Sequence, residues 1–250
     1  MRKALKKLII LPLAWSSLAL LGSFLFLISF LPKTFGGRYY HYLGRLWCRI
    51  FVHGLDVDLK LVHRNSKPIP DHYILIANHP SAFEDFALPA LFDIYPLAKS
   101  GVRHWFLLGR ISEFAGVIFV ERDDADSRHM ALQSLVDAAR SGKNMAIFPE
   151  GGCKGRNIYE RFHSGAFEVS LRTGLPILPV YLHYIDHDTF EWTTQTLVQK
   201  LWQIFRSDND QVDYYVHDVL EPSQFSDKQQ YAEYAHDLFL RWQALYNDTE

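Results

Sequence analysis

A long charge-free segment near the start of the chain constrains its fold more than any other feature. From Leu8 to Leu31 the sequence carries 24 residues without a charged side chain, after seven residues of which four are basic. As one helix this segment would be about 36 Å long at ~1.5 Å per residue, which exceeds a hydrocarbon core of ~30 Å. The chain is therefore predicted to be a membrane protein that is anchored through residues 1–35.

The sequence leaves two arrangements of this anchor open. One is a single tilted span, and the other is a pair of short helices that dip into one leaflet, with breaks at Pro12 and at the Gly22–Ser23 pair. Charge does not orient the segment, because the four basic residues before it are matched by four within about twenty residues after it. These four are Lys33, Arg38, Arg45 and Arg49.

Beyond the anchor, short apolar runs with strand character alternate with segments of helical spacing. Strands are predicted at 57–61, 73–77, 117–121, 145–148 and 176–182, and helices between them at 127–140 and 165–172. Such an alternation implies a mostly parallel central sheet that is covered by helices. The chain is predicted to be an α/β protein with an N-terminal helical membrane anchor and one domain over residues 36–250.

Charge and cysteine content exclude several classes of protein. The formal net charge is −2, so the chain lacks a global basic field, and no nucleic-acid partner is predicted. Cys48 and Cys153 belong to no CxxC pair, and they are predicted to be reduced thiols. Two histidines and two aspartates lie within residues 183–188, but no further block of ligands accompanies them, so no metal site is predicted.

A polar block follows the strand predicted at 73–77. It reads Asn78-His79-Pro80-Ser81-Ala82-Phe83-Glu84-Asp85. Open α/β sheets place ligands beyond the carboxyl ends of their strands, and His79 is predicted to lie at such a place. A carboxylate five or six residues later, Glu84 or Asp85, can orient the imidazole while the other ring nitrogen accepts a proton.

Three further blocks follow in order along the chain. Arg122 comes directly after the strand at 117–121, Phe148-Pro149-Glu150-Gly151 ends the next strand in a glycine turn, and Pro176-Ile177-Leu178-Pro179-Val180 opens another. With the first block included, residues 73–182 resemble the glycerolipid acyltransferase family, which contains the 1-acylglycerol-3-phosphate O-acyltransferases. That family shows an NHxSxxD-like block, GxIFIxR, FPEGTRS and a proline-flanked strand in the same order.

The resemblance implies both a function and a set of site residues. Residues 36–250 would form an acyltransferase domain that moves a fatty acyl chain from acyl-CoA or acyl-carrier protein to the hydroxyl of a lysophospholipid such as 1-acylglycerol 3-phosphate. His79 would be the general base, with Glu84 or Asp85 as its partner and without a metal or a further cofactor. The residues that the resemblance places around the substrates are Asn78, Ser81, Arg122, Glu150, Gly151 and Lys154.

Two departures from the family pattern affect individual residues. Counted from His79, the family's aspartate position holds Glu84, and Asp85 comes one residue later, so the ungapped spacing favours Glu84. The third block reads FPEGGCK where FPEGTRS is common, so Cys153 replaces the family's arginine. Arg122 is predicted to bind the acceptor's phosphate, and Lys154 or Arg156 to replace the missing arginine.

The resemblance also bears on location, and two other functions stay open. Thioester donors of this kind are cytosolic, so the active site is expected at the cytoplasmic face of the membrane, which favours the dipping anchor. The segment 151–155 matches G-x-C-x-G, the pattern of a nucleophile elbow, so a thioesterase or hydrolase with Cys153 as nucleophile is one alternative. The other is a non-catalytic membrane protein that binds lipid.

Overall fold

The computed structural model describes residues 11–31, 37–104, 108–120, 125–153, 155–207 and 211–247. The helices are α1 (Leu11–Ile28), α2 (Gly37–Gly54), α3 (Glu84–Leu91), α4 (Leu108–Phe114), α5 (Ala125–Arg140), α6 (Gly165–Thr173), α7 (His187–Phe190), α8 (Leu197–Arg206) and α9 (Lys228–Asn247). The strands are β1 (Asp58–His63), β2 (Ile74–Ala77), β3 (Leu97–Lys99), β4 (Ile118–Val120), β5 (Met145–Ile147), β6 (Ile177–Tyr184) and β7 (Gln211–Val216).

The central sheet is mostly parallel, as predicted. Within the described residues it has five strands in the order β1-β7-β6-β2-β5, and β6 with β7 is the antiparallel pair. β3 and β4 form a separate parallel pair. β2 lies between β6 and β5, and its four residues are all buried because apolar side chains point to both faces of the sheet.

Helices cover both faces of the sheet, which confirms the predicted α/β class. On one face, Leu75 and Leu178 pack with residues of α1, α2, α3 and α8. On the other, Ile74 and Ile177 pack with residues of α5, α6 and α9. Because successive strand residues point to opposite faces, neighbouring residues of β2 and of β6 serve different cores. The result is a three-layer sandwich.

The N-terminal segment lacks the break at Gly22–Ser23 that the dipping arrangement of two short helices required. α1 is one continuous helix from Leu11 to Ile28, with Pro12 in its first described turn and Gly22 and Ser23 in its interior. The prediction of a helix break at the Gly22–Ser23 pair is therefore wrong. Gly22 has a packing role instead: a Cβ at this position would lie 3.3 Å from Nε1 of Trp47, so the glycine allows α1 and α2 to approach closely.

α1 packs along α2 in the opposite direction. Nε1 of Trp15 donates to the carbonyl of Gly54 at 3.0 Å, and the hydroxyl of Tyr40 donates to the carbonyl of Leu25 at 2.6 Å. Among the described helices, α1 is the one long and apolar enough to cross a membrane, and only 22% of it is buried within the protein. The first helix is thus joined to the domain on one side and carries an exposed apolar surface on the other.

Candidate active site

The site lies at the carboxyl edge of the parallel strands. His79 comes two residues after β2, and Glu150 comes three residues after the neighbouring β5. The main-chain N–H of His79 donates to Oε1 of Glu150 at 2.9 Å, and the N–H of Tyr159 donates to Oε2 at 3.0 Å. Glu150, which is 1% exposed, therefore ties the histidine loop to the segment after β5.

Two neighbours position the imidazole of His79. The ring stacks on Phe148, with centroids 3.9 Å apart and planes 10° from parallel. Its Nδ1 lies 3.5 Å from Oε2 of Glu84, and 14% of the side chain stays exposed. The carboxylate thus approaches one ring nitrogen, which is the arrangement that leaves the other nitrogen for a substrate proton.

Glu84 is held from the opposite side by donors that the sequence did not reveal. It is the first residue of α3 and is fully buried. Its Oε1 accepts hydrogen bonds from the N–H of Ser81 and the hydroxyl of Tyr184, both at 2.8 Å. The hydroxyls of Tyr184 and Tyr214 lie 3.2 Å apart. Both tyrosines lie on adjacent strands that come much later in the chain. In the sequence, only the alternation of inward-facing and outward-facing residues along those strands pointed to them.

Burial and charge act on the pKa of His79 in opposite directions. Burial lowers it, but the hydrogen-bonding contact with Glu84 and the negative charges of Glu84, Asp85 and Glu150 raise it, so the pKa lies above 6.5. A histidine with nearby carboxylates holds an accepted proton better than a free imidazole does. This is the electrostatic environment that a general base requires.

Asp85 is turned away from the histidine contact and lines a cavity instead. Consecutive helical residues point about 100° apart, so only one of the two acids can face the imidazole closely. The side chain is exposed to the cavity, but desolvation by the protein around it, opposed by His79 and reinforced by Glu84, raises the pKa of Asp85 to about 6. Of the two candidate partners, Glu84 is the one that contacts the ring.

The cavity beside Asp85 is large and mostly apolar. It has a volume of about 770 Å³ and lies among α1, α2, α3 and α4. Its lining is largely aliphatic and aromatic and includes Leu18, Phe26, Trp47, Phe51, Phe86 and Ile111. Because α1 supplies part of its wall, the N-terminal helix contributes to the binding surface as well as to the exposed apolar face.

The turn after β5 requires a glycine at position 151. Gly151 has φ +78°, and a Cβ there would lie 2.7 Å from Cδ2 of His163. Gly151→Ala should therefore cost about 1–2 kcal/mol through the backbone alone, with a further cost from the clash. Since a chain of this size loses about 2–4 °C per kcal/mol, thermal unfolding in detergent should show a Tm lower by several degrees.

Gly152 provides a matched control for this turn. Its φ is not positive, and a Cβ there would meet no atom within 4 Å. Gly152→Ala should accordingly leave the Tm within about a degree of the unmodified chain. Equal losses in the two variants would contradict the steric explanation.

Two residues predicted to bind substrate are engaged within the protein. The side chain of Asn78 donates to the carbonyl of Leu182 at 3.0 Å and accepts from its N–H at 2.8 Å, so it extends the pairing of β2 with β6. Oγ of the fully buried Ser81 accepts from the N–H of Phe83 at 3.2 Å. Both side chains thus shape the histidine loop, and their direct contact with a substrate stays a prediction.

The basic residues predicted to bind phosphate are either outside the described residues or already paired. Arg122 and Lys154 lie outside the described residues. The guanidinium of Arg156 is paired with the carboxylates of Asp188 and Glu191. Those two ion pairs compete with any phosphate for Arg156.

Cys153 lacks the surroundings of a nucleophile. Burial, with the charge of Glu84 next in importance, raises the pKa of its thiol to about 12, so the thiolate is scarce near neutral pH. A nucleophile elbow leads directly into a helix, but α6 begins only at Gly165. Within residues 183–188, where no metal site was predicted, the carboxylate of Asp186 accepts hydrogen bonds from the N–H and hydroxyl of Thr189 and caps α7.

Comparisons with known proteins identify this part of the chain by sequence similarity. The model of the acyltransferase family matches residues 60–183. A lysophosphatidylcholine acyltransferase of Drosophila melanogaster is 35% identical over 48% of this chain and 22% of its own length. A lyso-ornithine lipid O-acyltransferase of Pseudomonas aeruginosa is 35% identical over 44% of this chain and 42% of its own length. The matched region thus spans less than half of each of these two relatives.

A solved structure extends the likeness to the whole fold. The 1-acyl-sn-glycerophosphate acyltransferase PlsC of Thermotoga maritima superimposes with a TM-score of 0.64 at 18% identity, over 99% of this chain and 98% of that one. At this identity the likeness concerns the fold, which includes the N-terminal helix and the mostly parallel sheet. The family model and the sequence blocks within it show that residues 60–183 belong to the acyltransferase family, and the likeness in fold to PlsC extends over 99% of the chain.

Proposed function

We propose that the protein transfers a fatty acyl chain from a thioester donor, acyl-CoA or acyl-carrier protein, to the hydroxyl of a membrane-resident lysophospholipid. The observation that carries this proposal is the pairing of His79 with the buried Glu84 beside an apolar cavity. Such a pair activates a hydroxyl, and such a cavity accommodates a hydrocarbon chain. The names of the related proteins support a lysophospholipid acceptor, such as 1-acylglycerol 3-phosphate.

In the proposed reaction, neutral His79 removes the proton of the acceptor hydroxyl as its oxygen attacks the thioester carbonyl. A carbon–oxygen bond forms, and the tetrahedral intermediate then expels the thiolate as the carbon–sulfur bond breaks. The imidazolium returns the proton to the departing sulfur, so the products are an ester and a free thiol. Glu84 stabilises the imidazolium between these steps, and no acyl-enzyme is required.

The cavity gives the donor chain a place close to this chemistry. Asp85 and Phe86 line the cavity, and the residue before them, Glu84, contacts His79. A fatty acyl chain in the cavity would bring its thioester carbonyl near the imidazole. Burying the chain also releases about 25 cal/mol per Å² of apolar surface removed from water, which favours long chains over short ones.

The acceptor and the orientation follow from the same arrangement. A thioester donor is cytosolic and a lysophospholipid resides in the membrane, so the site should open at the cytoplasmic membrane surface. The exposed apolar side of α1 supplies the membrane contact in this proposal. Arg122 is the proposed partner for an acceptor phosphate, and Lys154 is the proposed replacement for the arginine of the third block.

The test is an acceptor panel with the full chain purified in detergent. Labelled palmitoyl-CoA is offered with lysophosphatidic acid, lysophosphatidylcholine or lyso-ornithine lipid, and both the diacyl product and the free thiol are measured. We expect equal amounts of both with at least one acceptor. Absence of a diacyl product with every acceptor, for palmitoyl-CoA and for palmitoyl-acyl-carrier protein, would overturn the proposal.

The same assay separates the proposed reaction from the thioesterase alternative. A thioesterase would release free fatty acid without an acceptor and would depend on Cys153. We expect Cys153→Ala to retain acyl transfer, because its sulfur takes no part in the proposed reaction. Loss of all thioester cleavage in this variant, with its fold intact by circular dichroism, would favour Cys153 as a nucleophile.

A further inference from the structure

Helix α8 has an inner side that is tightly held and an outer side without a partner among the described residues. Ile204 is 1% exposed and belongs to the core beneath the sheet. Nζ of Lys200 donates to the carbonyl of Thr189 at 3.0 Å and to the side chain of Gln203 at 3.0 Å. These contacts fix the rotation of the helix about its own axis.

The outer side of α8 is apolar and aromatic. Val198 is 76% exposed and Trp202 is 59% exposed, and their spacing of four residues places them on one stripe. Trp202 stacks on Phe205 with ring centroids 5.6 Å apart, and the guanidinium of Arg206 lies 6.0 Å from the Trp202 ring. The helix contains no acidic residue.

The C-terminal end of α8 lies beside the start of α1. A groove of about 420 Å³ lies between the two helices, with Leu11, Pro12 and Trp15 on one side and Phe205 and Arg206 on the other. α1 is the described helix that is long and apolar enough to enter a membrane. Any bilayer that receives the start of α1 therefore also meets the end of α8.

We propose that α8 is a second membrane-contacting helix, which lies in the bilayer interface with Val198 and Trp202 among the lipids. An exposed tryptophan beside an arginine, with aliphatic neighbours on one stripe, is typical of helices that lie in the interface plane. Arg206 is placed to meet anionic headgroups at the rim. Together α1 and α8 contact the membrane at two places, which fixes the tilt of the domain. The proposal rests on the membrane attachment through α1 in the proposed function.

The test places an environment-sensitive fluorophore at single new cysteines in the full chain. The positions are Trp202→Cys on α8, Leu20→Cys on the exposed side of α1, and Leu245→Cys on α9, which covers the opposite face of the sheet. Each protein is reconstituted into phosphatidylcholine–phosphatidylglycerol nanodiscs and is quenched with spin-labelled lipid or with aqueous iodide. The unmodified chain treated with the same reagent supplies the blank.

We expect the probe at position 202 to be quenched by lipid and shielded from iodide, as at position 20, while the probe at 245 shows the reverse. If lipid quenches the probe at position 20 while the probe at 202 behaves like the one at 245, the proposed membrane contact of α8 is wrong and the membrane attachment through α1 stands. If 202 is shielded from iodide but not quenched by lipid, protein covers it, and the proposal is again wrong. Lipid quenching at neither 20 nor 202 would overturn the attachment and the proposal together.

A second position guards against loss of the native structure. If Trp202→Cys does not fold by circular dichroism, Val198→Cys carries the probe, because it lies on the same stripe one turn earlier. The same quenching pattern is expected there. Iodide quenching at 198 equal to that at 245 would contradict the proposal.

Discussion

Replacing His79 by alanine is expected to lower acyl transfer by a factor of about 10²–10⁴, the usual contribution of a general base. The ring is held by Phe148 and Glu84 while part of it stays exposed, so its removal takes away the proton acceptor without emptying the core. Turnover is measured with saturating donor and acceptor, and the fold is checked by circular dichroism and by the Tm.

A second histidine supplies the control for this variant. His63 is exposed at the end of β1, which runs opposite to β2 and therefore ends at the other edge of the sheet. His63→Ala should transfer acyl groups at nearly the unmodified rate. Turnover of His79→Ala within a few-fold of that control would exclude His79 as the general base.

The two acids after His79 should separate clearly when each is made neutral. Glu84→Gln keeps the volume, and its oxygen can still accept from Ser81 and Tyr184, but it no longer stabilises the imidazolium. Because Nδ1 of His79 and Oε2 of Glu84 lie 3.5 Å apart, the contact is expected to reach only the low end, about 1.5 kcal/mol, of a hydrogen bond to a charged group, so turnover should fall about 10-fold with little change in the acceptor KM. Asp85→Asn should affect turnover much less, because Asp85 lines the cavity and does not contact the ring.

The pH profile gives this comparison a second readout. The Glu84 contact and charge raise the pKa of His79 above 6.5. Activity that needs neutral His79 should therefore decline as the pH falls through this raised pKa. In Glu84→Gln the pKa of His79 drops, so the acidic limb of kcat/KM should move to lower pH even though the maximal rate is smaller. Asp85 contributes less to the pKa, so Asp85→Asn should move the limb less. The reverse order would make Asp85 the partner.

Local sequence patterns sufficed to predict the α/β class and the position of the candidate base. The strand at 73–77 is apolar at every position, which is typical of a central strand buried on both faces, and β2 is such a strand. A histidine two residues beyond it is necessarily at the carboxyl edge of the sheet. These inferences succeeded because hydrophobic periodicity and the turn after a strand are properties of consecutive residues.

The sequence alone misjudged the break in the anchor helix and did not reveal the packing partner of Asn78. A glycine–serine pair in an apolar helix weakens it locally, yet α1 passes through Gly22 because α2 packs against it there. The place of Asn78 beside His79 gave no sign that its amide pairs with the backbone of Leu182. In both cases the decisive partner lies in another segment of the chain.

The sequence by itself determined the strand–helix order, the apolar N-terminal segment and the polar block that holds His79. Only the tertiary structure showed that Glu84 contacts His79 and Asp85 does not, because residues one apart on a helix face different surroundings that spacing does not describe. It also supplied Tyr184, which lies 100 residues beyond Glu84 and donates to it in the buried core. The physical reason is common to both: hydrogen-bond geometry and desolvation depend on which distant elements pack together, and periodicity within one segment carries no information about that packing.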